Sequence, residues 1–239
     1  MPEKTSLALI VPCYNEAVSI PYFEVELGKL QQRFSAEFPQ AELSVTVVDN
    51  NSTDGSAELL YKLAGRMPFV RVERCATQGY GAALKHGFAA AKGDYLSFLD
   101  LDNTYPMEQL LDMFRLIQKQ NFDIVYGARL HPHSDIGLIR KLGNIFYVFL
   151  LRILLNSGLT DVCSGMRVFR SDRKAAVLAL SRNDLSFSIE FTAFALTDNW
   201  KISELPVPYR DRVGDSKLSV IRDGFVFLYV VLRRVLQKK

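Results

Sequence analysis

Short apolar segments alternate with helical patterns along the first half of this 239-residue chain. Five of these segments are short enough for buried parallel strands and are bounded by turn residues. They lie at residues 7–11, 43–48, 69–72, 95–99 and 122–126. Amphipathic stretches separate them, and the first places Phe23, Leu27 and Phe34 on one helical face. This alternation predicts an α/β fold with a Rossmann-like, mostly parallel central sheet flanked by helices.

The pattern changes after residue 130, where longer helical segments dominate. The predicted helices lie at residues 136–156, 171–180, 187–197 and from about 218 onward, and the predicted strands at residues 166–169 and 201–207. Nothing in the composition marks a linker between these segments. We therefore expect one domain over residues 1–217 and a C-terminal amphipathic helix over residues 218–239.

Composition and charge exclude several classes of protein. With 49% hydrophobic and 23% charged residues, the chain is globular rather than disordered. The net charge of +3 gives little attraction to nucleic acid, so we expect no nucleic-acid partner. Three widely spaced cysteines fit neither a disulfide framework nor a zinc site. The sequence has no signal-peptide pattern and no run of about 18 apolar residues, so we expect no membrane-spanning helix.

Polar side chains follow the first two predicted strands, at the sheet edge where α/β proteins bind ligands. Tyr14 can cover a nucleobase and Glu16 can accept hydrogen bonds from ribose hydroxyls. Asp49, after the second strand, is a candidate to accept from a base N–H group. The alternative is structural, because Glu16 and Asp54 can also cap the helices that follow.

Two acids one residue apart follow the fourth predicted strand. Asp100 and Asp102 would repel each other at this strand end unless a cation lies with them. Mg²⁺ or Mn²⁺, held by carboxylate oxygens and bridging to a diphosphate, fits that arrangement. A solvated acidic turn is the alternative.

Three basic groups come later in the chain. Arg129 stands alone, Arg140 has Lys141 beside it, and Arg212 lies in a loop with Lys217. Arginine forks suit phosphate oxygens. That loop also holds a second Arg, a Gly and a Ser, which is the composition of a mobile phosphate clamp. For each group alone, solvated surface charge is the competing interpretation.

Taken together and in order, these motifs resemble the inverting family 2 glycosyltransferases of GT-A fold, in particular the polyprenyl-phosphate hexosyltransferase branch with dolichol-phosphate mannose synthase. The matching segments run from residue 11 to 218. They are Pro12-Cys-Tyr-Asn-Glu16, Val47-Val-Asp-Asn-Asn-Ser-Thr-Asp-Gly55, Gly79-Tyr-Gly-Ala-Ala83, Asp100-Leu-Asp102 with Tyr105-Pro106, Gly127-Ala-Arg129, Asp161-Val-Cys-Ser-Gly-Met-Arg167, Glu190 and Arg212-Val-Gly-Asp-Ser-Lys217.

The resemblance implies a role for each matching position. Residues 1–217 would be the catalytic domain. Pro12, Tyr14, Glu16 and Asp49 would hold the nucleoside, and Asp100 and Asp102 the metal and diphosphate. Arg129 and Arg140 would meet phosphate, and Arg212, Ser216 and Lys217 would close over the donor. Leu101, between the acids, would contact substrate. It stands where the mannose synthases commonly have Ala, so the resemblance does not determine which sugar is transferred. It also does not determine whether the donor carries UDP or GDP.

The resemblance also implies a reaction and a location. A phosphate acceptor is already an anion at pH 7 and needs no general base, so we expect direct attack on the anomeric carbon of a nucleotide-sugar, with inversion. The lipid acceptor implies a peripheral protein on the cytoplasmic face of a membrane, with or without an anchoring subunit. Apolar runs at residues 145–155 and 225–232, the second followed by basic residues, suit an anionic interface. Core packing of both helices is the alternative.

Other functions remain open at this point. An enzyme of the same fold with a hydroxyl acceptor would need a base, for which Glu190 or Asp161 is available. A nucleotidyltransferase would open with a Gly-rich basic loop, which the first loop is not. A non-catalytic nucleotide-binding subunit would have no need for both the acid pair and the basic loop.

Overall fold

The computed structural model describes residues 5–129, 137–210 and 220–237, and within them it has seven strands and eight helices. In chain order these are β1 (Thr5–Cys13), α1 (Ile20–Glu37), β2 (Ala41–Asp49), α2 (Ser56–Arg66), β3 (Val70–Arg74), α3 (Tyr80–Ala90), β4 (Tyr95–Phe98), α4 (Gln109–Gln120), β5 (Ile124–Ala128), α5 (Leu138–Leu155), β6 (Arg167–Arg170), α6 (Lys174–Leu178), α7 (Phe187–Thr197), β7 (Ile202–Pro206) and α8 (Val220–Gln237).

One sheet holds all seven strands in the order β3-β2-β1-β4-β6-β5-β7. Only β6 runs antiparallel to its neighbours, β4 and β5. The predicted mostly parallel sheet is therefore confirmed. Cys13 at the end of β1 pairs with Asp49 at the end of β2, and Ile10 pairs with Phe98 at the end of β4. The loops after these three strands consequently emerge at one edge of the sheet.

Both faces of the sheet are buried, which explains why its central strands read as continuous apolar runs. On β1, Leu9 packs into a cluster with α1, α2 and α4, whereas Ile10 packs into a second cluster with α3, α6 and α7. Glycines let α3 pack close to α7 and β1. A Cβ at Gly81 would lie 2.6 Å from the Cβ of Phe187, so a larger residue would push α3 away from α7.

A third apolar cluster joins α5, α7 and α8, and it includes Leu151, Ile189 and Val231. The C-terminal helix is therefore packed against the rest of the molecule through one face. The predicted helix at residues 171–180 is instead a short 3₁₀ turn, Ser171–Arg173, followed by α6. No helix within the described residues is long and apolar enough to cross a bilayer.

The outer faces of α5 and α8 are apolar and exposed, and together we call them the apolar face. Its members are Leu138, Ile139, Leu142, Ile145, Phe146, Phe149 and Ile153 on α5, and Phe225, Tyr229, Leu232 and Leu236 on α8. Core packing therefore accounts for one side of each helix, and contact of the other, exposed side with a membrane stays a prediction.

Candidate active site

Hydrogen bonds between the loops after β1 and β2 bind them into one unit. The backbone N–H of Asn15 donates to Ser52 Oγ (3.0 Å), and that of Thr53 donates to Asn15 Oδ1 (2.7 Å). Asn15 has φ 53°, a left-handed conformation that Asn tolerates better than most residues. The N–H of Glu16 donates to Ser56 Oγ (2.9 Å). The loop after β2 therefore holds the loop after β1 in place through these hydrogen bonds.

A first cavity of about 300 Å³ lies against this unit. Its lining includes four predicted nucleoside or substrate contacts and the first acid of the pair: Pro12, Tyr14, Glu16, Leu101 and Asp100. It also includes residues that the sequence did not single out as site residues, Asn50, Gln78, Gly79 and Tyr80 among them. Asp49 is buried and does not line this cavity; its Oδ1 accepts from the N–H of Ser52 (3.1 Å). Its contact with a base stays a prediction.

The side chain of Asn50 binds backbone groups of the loop between β3 and α3. Its Nδ2 donates to the carbonyls of Cys75 (3.2 Å) and Thr77 (2.7 Å), and its Oδ1 accepts from the N–H of Gly79 (2.7 Å). These bonds hold the loop that leads into α3 against the first cavity. Asp54 has the structural role considered above, since its carboxylate accepts from the N–H of Ser56, the first residue of α2 (3.0 Å).

The acid pair follows β4 as predicted. Asp100 Oδ1 accepts a hydrogen bond from Tyr80 Oη (2.9 Å). Burial, with the negative charge of Asp100, raises the pKa of Tyr80 well above its ordinary value, so this phenol stays a donor. Asp102 is almost fully buried, and its Oδ1 accepts from both the N–H (3.1 Å) and the hydroxyl (2.6 Å) of Thr104.

The donor set here fits a hard divalent cation that binds together with a diphosphate. Among the described residues, no group of three or more His, Cys, Asp or Glu side chains is placed to hold a metal by itself. Zinc sites normally need three or four such ligands. Mg²⁺ is typically bound by one or two carboxylates, with substrate phosphates and water completing its shell. Asp100 lines the first cavity and can supply one such ligand. Asp102 is buried and does not line that cavity, so its contact with a metal stays a prediction.

A second cavity of about 180 Å³ lies on the other side of Asp100. Tyr80, Asp100 and Leu185 line both cavities. The second cavity also contains Arg129 and Arg140, the two predicted phosphate contacts. Its remaining wall is formed largely by α5 and α8, through Gly143, Asn144, Tyr147, Asp223, Gly224 and Phe227. The structure therefore brings Arg129 and Arg140 to the same cavity as Asp100.

Arg129 is held by a buried ion pair. Its Nε and Nη2 donate to the two oxygens of Asp161 at 2.6 and 2.8 Å, and its backbone N–H donates to Asp161 Oδ2 at 3.0 Å. Burial alone would raise the pKa of Asp161, but the charge and hydrogen bonds of Arg129 outweigh burial and hold that pKa below its ordinary value. The same attraction raises the pKa of Arg129 well above its ordinary value against the opposing effect of burial.

Glu204 on β7 supports this pair from behind. Its carboxylate accepts from the backbone N–H groups of Thr160 (2.7 Å) and Asp161 (2.9 Å) and from the Thr160 hydroxyl (2.9 Å). Tyr209 lies on another side of Arg129, with its ring centroid 5.6 Å from the guanidinium carbon. The position of Arg129 is therefore set by groups from three parts of the chain.

The two candidate bases for a hydroxyl acceptor are engaged by other groups of the chain. Asp161 is fully buried in its pair with Arg129. Glu190 accepts from the N–H (3.1 Å) and hydroxyl (2.6 Å) of Ser181 and from the N–H of Arg182 (2.8 Å). Neither carboxylate lines the first or the second cavity. The predicted clamp residues, Arg212, Ser216 and Lys217, lie outside the described residues.

A comparison with protein families agrees with this geometry. The model of Glycosyl transferase family 2 matches residues 8–174. The chain belongs to glycosyl transferase family 2. The resemblance inferred from the motifs is thereby confirmed.

The chain is also similar to several named proteins. The chain is 27% identical to the dolichyl-phosphate hexose transferase of Haloferax volcanii, covering 91% of this chain and 89% of that protein. It is 30% identical to the undecaprenyl-phosphate mannosyltransferase of Micrococcus luteus, covering 88% and 86%. It is also 30% identical to the low-salt glycan biosynthesis hexosyltransferase Agl6 of Haloferax volcanii, but spans only 43% of that protein.

The fold is shared with solved enzyme structures. Glucosyl-3-phosphoglycerate synthase from Mycobacterium tuberculosis, in complex with Mn²⁺, UDP-glucose and phosphoglyceric acid, has a TM-score of 0.73 at 17% identity. The match covers 97% of this chain and 80% of that one. At that identity the likeness establishes the GT-A fold, which confirms the predicted fold class.

Proposed function

We propose that this protein transfers a hexose, with inversion, from a nucleotide-diphosphate sugar to a polyprenyl phosphate such as dolichyl or undecaprenyl phosphate. The observation that carries the proposal is the pair of cavities that meet at Asp100. One has the loops suited to a nucleotide, and the other combines two arginines with a wall formed by α5 and α8. The acceptor class is the one named for the Haloferax and Micrococcus relatives, and mannose or glucose is the proposed hexose.

In this proposal the first cavity holds the donor. Tyr14 covers the base, Glu16 accepts hydrogen bonds from the ribose, and Pro12 and Leu101 pack against the nucleotide-sugar. Asp100 and Asp102 hold Mg²⁺ or Mn²⁺, which neutralises charge on the leaving nucleoside diphosphate when bound. Tyr80 keeps the Asp100 carboxylate oriented through its hydrogen bond.

The second cavity holds the acceptor phosphate. Two nitrogens of the Arg129 guanidinium are engaged by Asp161, and Nη1 makes no hydrogen bond to any described residue. That nitrogen, with Arg140, is available for phosphate oxygens. An acceptor oxygen attacks the anomeric carbon, the bond from that carbon to the nucleoside diphosphate breaks, and no proton has to be removed. The chain's task is to place two anionic groups close together.

Arg212, Ser216 and Lys217 are proposed to close over the donor. They lie in a chain segment outside the described residues, so this role rests on the sequence motif alone. Loop closure around the diphosphate would exclude water from the anomeric carbon and so limit hydrolysis of the donor.

We further propose that the apolar face rests in the headgroup region of a membrane, with the protein peripheral on the cytoplasmic side. Large apolar side chains exposed along one face of a helix, as on α5 and α8, are typical of an interaction site when they form a patch. Its position beside the second cavity matches a lipid acceptor that stays in the bilayer. In this arrangement the residue 218–239 helix serves both as part of the fold and as the membrane contact. An anchoring subunit bound to the same face is the competing occupant.

One observation favours a second function. Asp223, on the first turn of α8, lines the second cavity together with Arg140. A carboxylate in that place can act as a general base, which a sugar or lipid hydroxyl acceptor would require. Under the phosphate-acceptor proposal Asp223→Asn keeps most of its transfer rate, whereas under the hydroxyl alternative it loses about 10²-fold or more.

The function is tested by mixing the protein with Mg²⁺ or Mn²⁺, a polyprenyl phosphate and radiolabelled UDP-glucose, GDP-mannose and related donors in parallel. Label from one donor should enter the organic phase. Asp100→Asn should abolish that transfer, and Asp112→Asn, on the exposed surface of α4, should not. If no donor labels the lipid although a nucleotide-sugar binds with metal, the polyprenyl phosphate acceptor is wrong.

A further inference from the structure

The wall that α5 gives to the second cavity has a gap in it. Arg140, Gly143, Asn144 and Tyr147 line the cavity at helical spacing, so they form one stripe along the helix. Within that stripe only Gly143 has no side chain. A Cβ built there meets no atom of the described residues within 4 Å, so the space in front of it is open with respect to this part of the chain.

This glycine is unfavourable for the helix itself. Gly143 lies well inside α5, where glycine costs about 1 kcal/mol relative to alanine. Asn144, the next residue, is fixed by bonds to the loop below, since its Oδ1 accepts from the N–H of Val162 (3.2 Å) and its Nδ2 donates to the carbonyl of Thr160 (3.4 Å). The backbone of α5 is thus held in place while position 143 is left empty.

The α8 wall is more closely packed at its own glycine. A Cβ at Gly224 would lie 3.8 Å from Tyr147 Oη, and the Gly224 carbonyl accepts a hydrogen bond from that hydroxyl (2.5 Å), which ties α8 to α5. Phe227 closes this side, with its ring centroid 5.9 Å from that of Tyr147. The sheet side of the cavity carries Asp100 and Arg129, and the helix side carries Arg140 and Asp223.

Both glycines adjoin the apolar face. Leu142 and Phe225, the sequence neighbours of Gly143 and Gly224, are 57% and 72% exposed. The second cavity therefore has Asp100 and Arg129 on its sheet side, and its helix side combines Arg140 and Asp223 with glycines and aromatic rings next to exposed apolar side chains. A molecule with a phosphate at one end and a hydrocarbon chain at the other fits this arrangement, with its phosphate near the arginines and its hydrocarbon chain toward the apolar face.

We propose that Gly143 is a specificity-determining residue, whose missing side chain leaves room for the branched carbon unit next to the acceptor phosphate. This inference rests on the function proposed above. A cavity of about 180 Å³ is comparable to the roughly 150 Å³ apolar cavities known to take a benzene-sized group. It accommodates the first unit of the chain only, and the rest of the chain continues along the apolar face.

The test fills the gap with Gly143→Leu. Because the space is open and leucine is a better helix former, the variant should melt at or above the wild-type temperature. Its kcat/KM for polyprenyl phosphate should fall about tenfold or more, the effect of a misfit of this size in an apolar pocket, while its KM for the nucleotide-sugar stays unchanged. With an unbranched alkyl phosphate of equal length, the loss should be clearly smaller.

Two variants control for helix effects. Gly143→Ala adds a single carbon at the same place and should keep the wild-type kcat/KM within about twofold, since it removes the helix cost without filling the cavity. Gly65→Leu makes the matched change on α2, where a Cβ also meets open space, and should leave acceptor kinetics untouched.

Three results would overturn the inference. Wild-type acceptor kinetics in Gly143→Leu would show that the chain does not pass position 143. A melting temperature well below wild type would show that the space is not open. An equal loss with the branched and the unbranched phosphate would show that the residue does not sense branching. If the wild-type protein transfers hexose to no polyprenyl phosphate, the proposed function itself falls, and the inference falls with it.

Discussion

The buried pair between Arg129 and Asp161 provides a test of how the second cavity is built. Asp161 has no exposed surface and accepts four hydrogen bonds, three from Arg129 and one from the N–H of Cys163 (3.2 Å). Asp161→Asn keeps the shape of the side chain but removes its charge. It also replaces one accepting oxygen with an NH₂ group, which faces the N–H groups that donate to the carboxylate. Breaking one side of a buried ion pair typically costs about 3–5 kcal/mol, because the other charge is left uncompensated.

We expect Asp161→Asn to lower the free energy of unfolding by about that amount at pH 7, measured by urea denaturation. For a domain of this size the loss corresponds to a fall of about 6–20 °C in Tm. Since the pKa of Asp161 is held below its ordinary value, its contribution is present above about pH 4 and disappears as pH falls through the lower folded-state pKa. The difference between wild type and variant should therefore narrow in acid.

A double variant separates charge from packing. If the cost arises from an unpaired guanidinium, Arg129→Met combined with Asp161→Asn should be less destabilised than the sum of the two single changes. A single Asp161→Asn variant as stable as wild type at pH 7, or strictly additive costs, would refute the reasoning.

Three further predictions concern the site and its surroundings. A Cβ at Gly165 would overlap the Asp100 carboxylate, so Gly165→Ala should lower the transfer rate about a hundredfold, as small misplacements of catalytic groups do, with little change in Tm; an unaltered rate would contradict this. Burial raises the pKa of Cys163 to about 12, so only about one thiol in ten thousand is ionised at pH 8, and mass spectrometry should find it unalkylated by iodoacetamide until the protein is unfolded. Phe149→Ser should weaken binding to anionic vesicles about tenfold, whereas Tyr61→Ser, at similar exposure on α2, should not; equal effects would argue against the apolar face.

The general architecture could be read from the sequence because hydrophobic periodicity determines which elements form. The continuous apolar run of β1 predicted a strand buried on both faces, and Leu9 and Ile10 do pack into different clusters. The antiparallel direction of β6 could not be predicted, since four residues carry no signal of strand direction. Arg167 on that strand is fully buried, with its guanidinium carbon 4.5 Å from the Tyr126 ring centroid, where its charge alone would suggest exposure.

The candidate site likewise contains residues that a local sequence pattern predicts and residues that it does not. Asp100, Tyr14 and Glu16 were predicted because they follow strand ends, and strand ends meet at one edge of a parallel sheet. Asn50 and Tyr80 were missed as site residues because their positions depend on hydrogen bonds to segments distant in sequence. The helix wall of the second cavity was missed for a related reason, since the packing of α5 beside α8 depends on contacts that no local pattern records.

The proposed acceptor chemistry is tested most directly by comparing polyprenyl phosphate with the polyprenol of the same chain length, each at matched concentration in detergent, with the active nucleotide-sugar and metal. Anomeric configuration of the product is read by NMR. The account predicts that only the phosphate accepts the hexose, that the product is inverted, and that Asp102→Asn loses the reaction. Transfer to the alcohol, or retained configuration in the phosphate product, would contradict it.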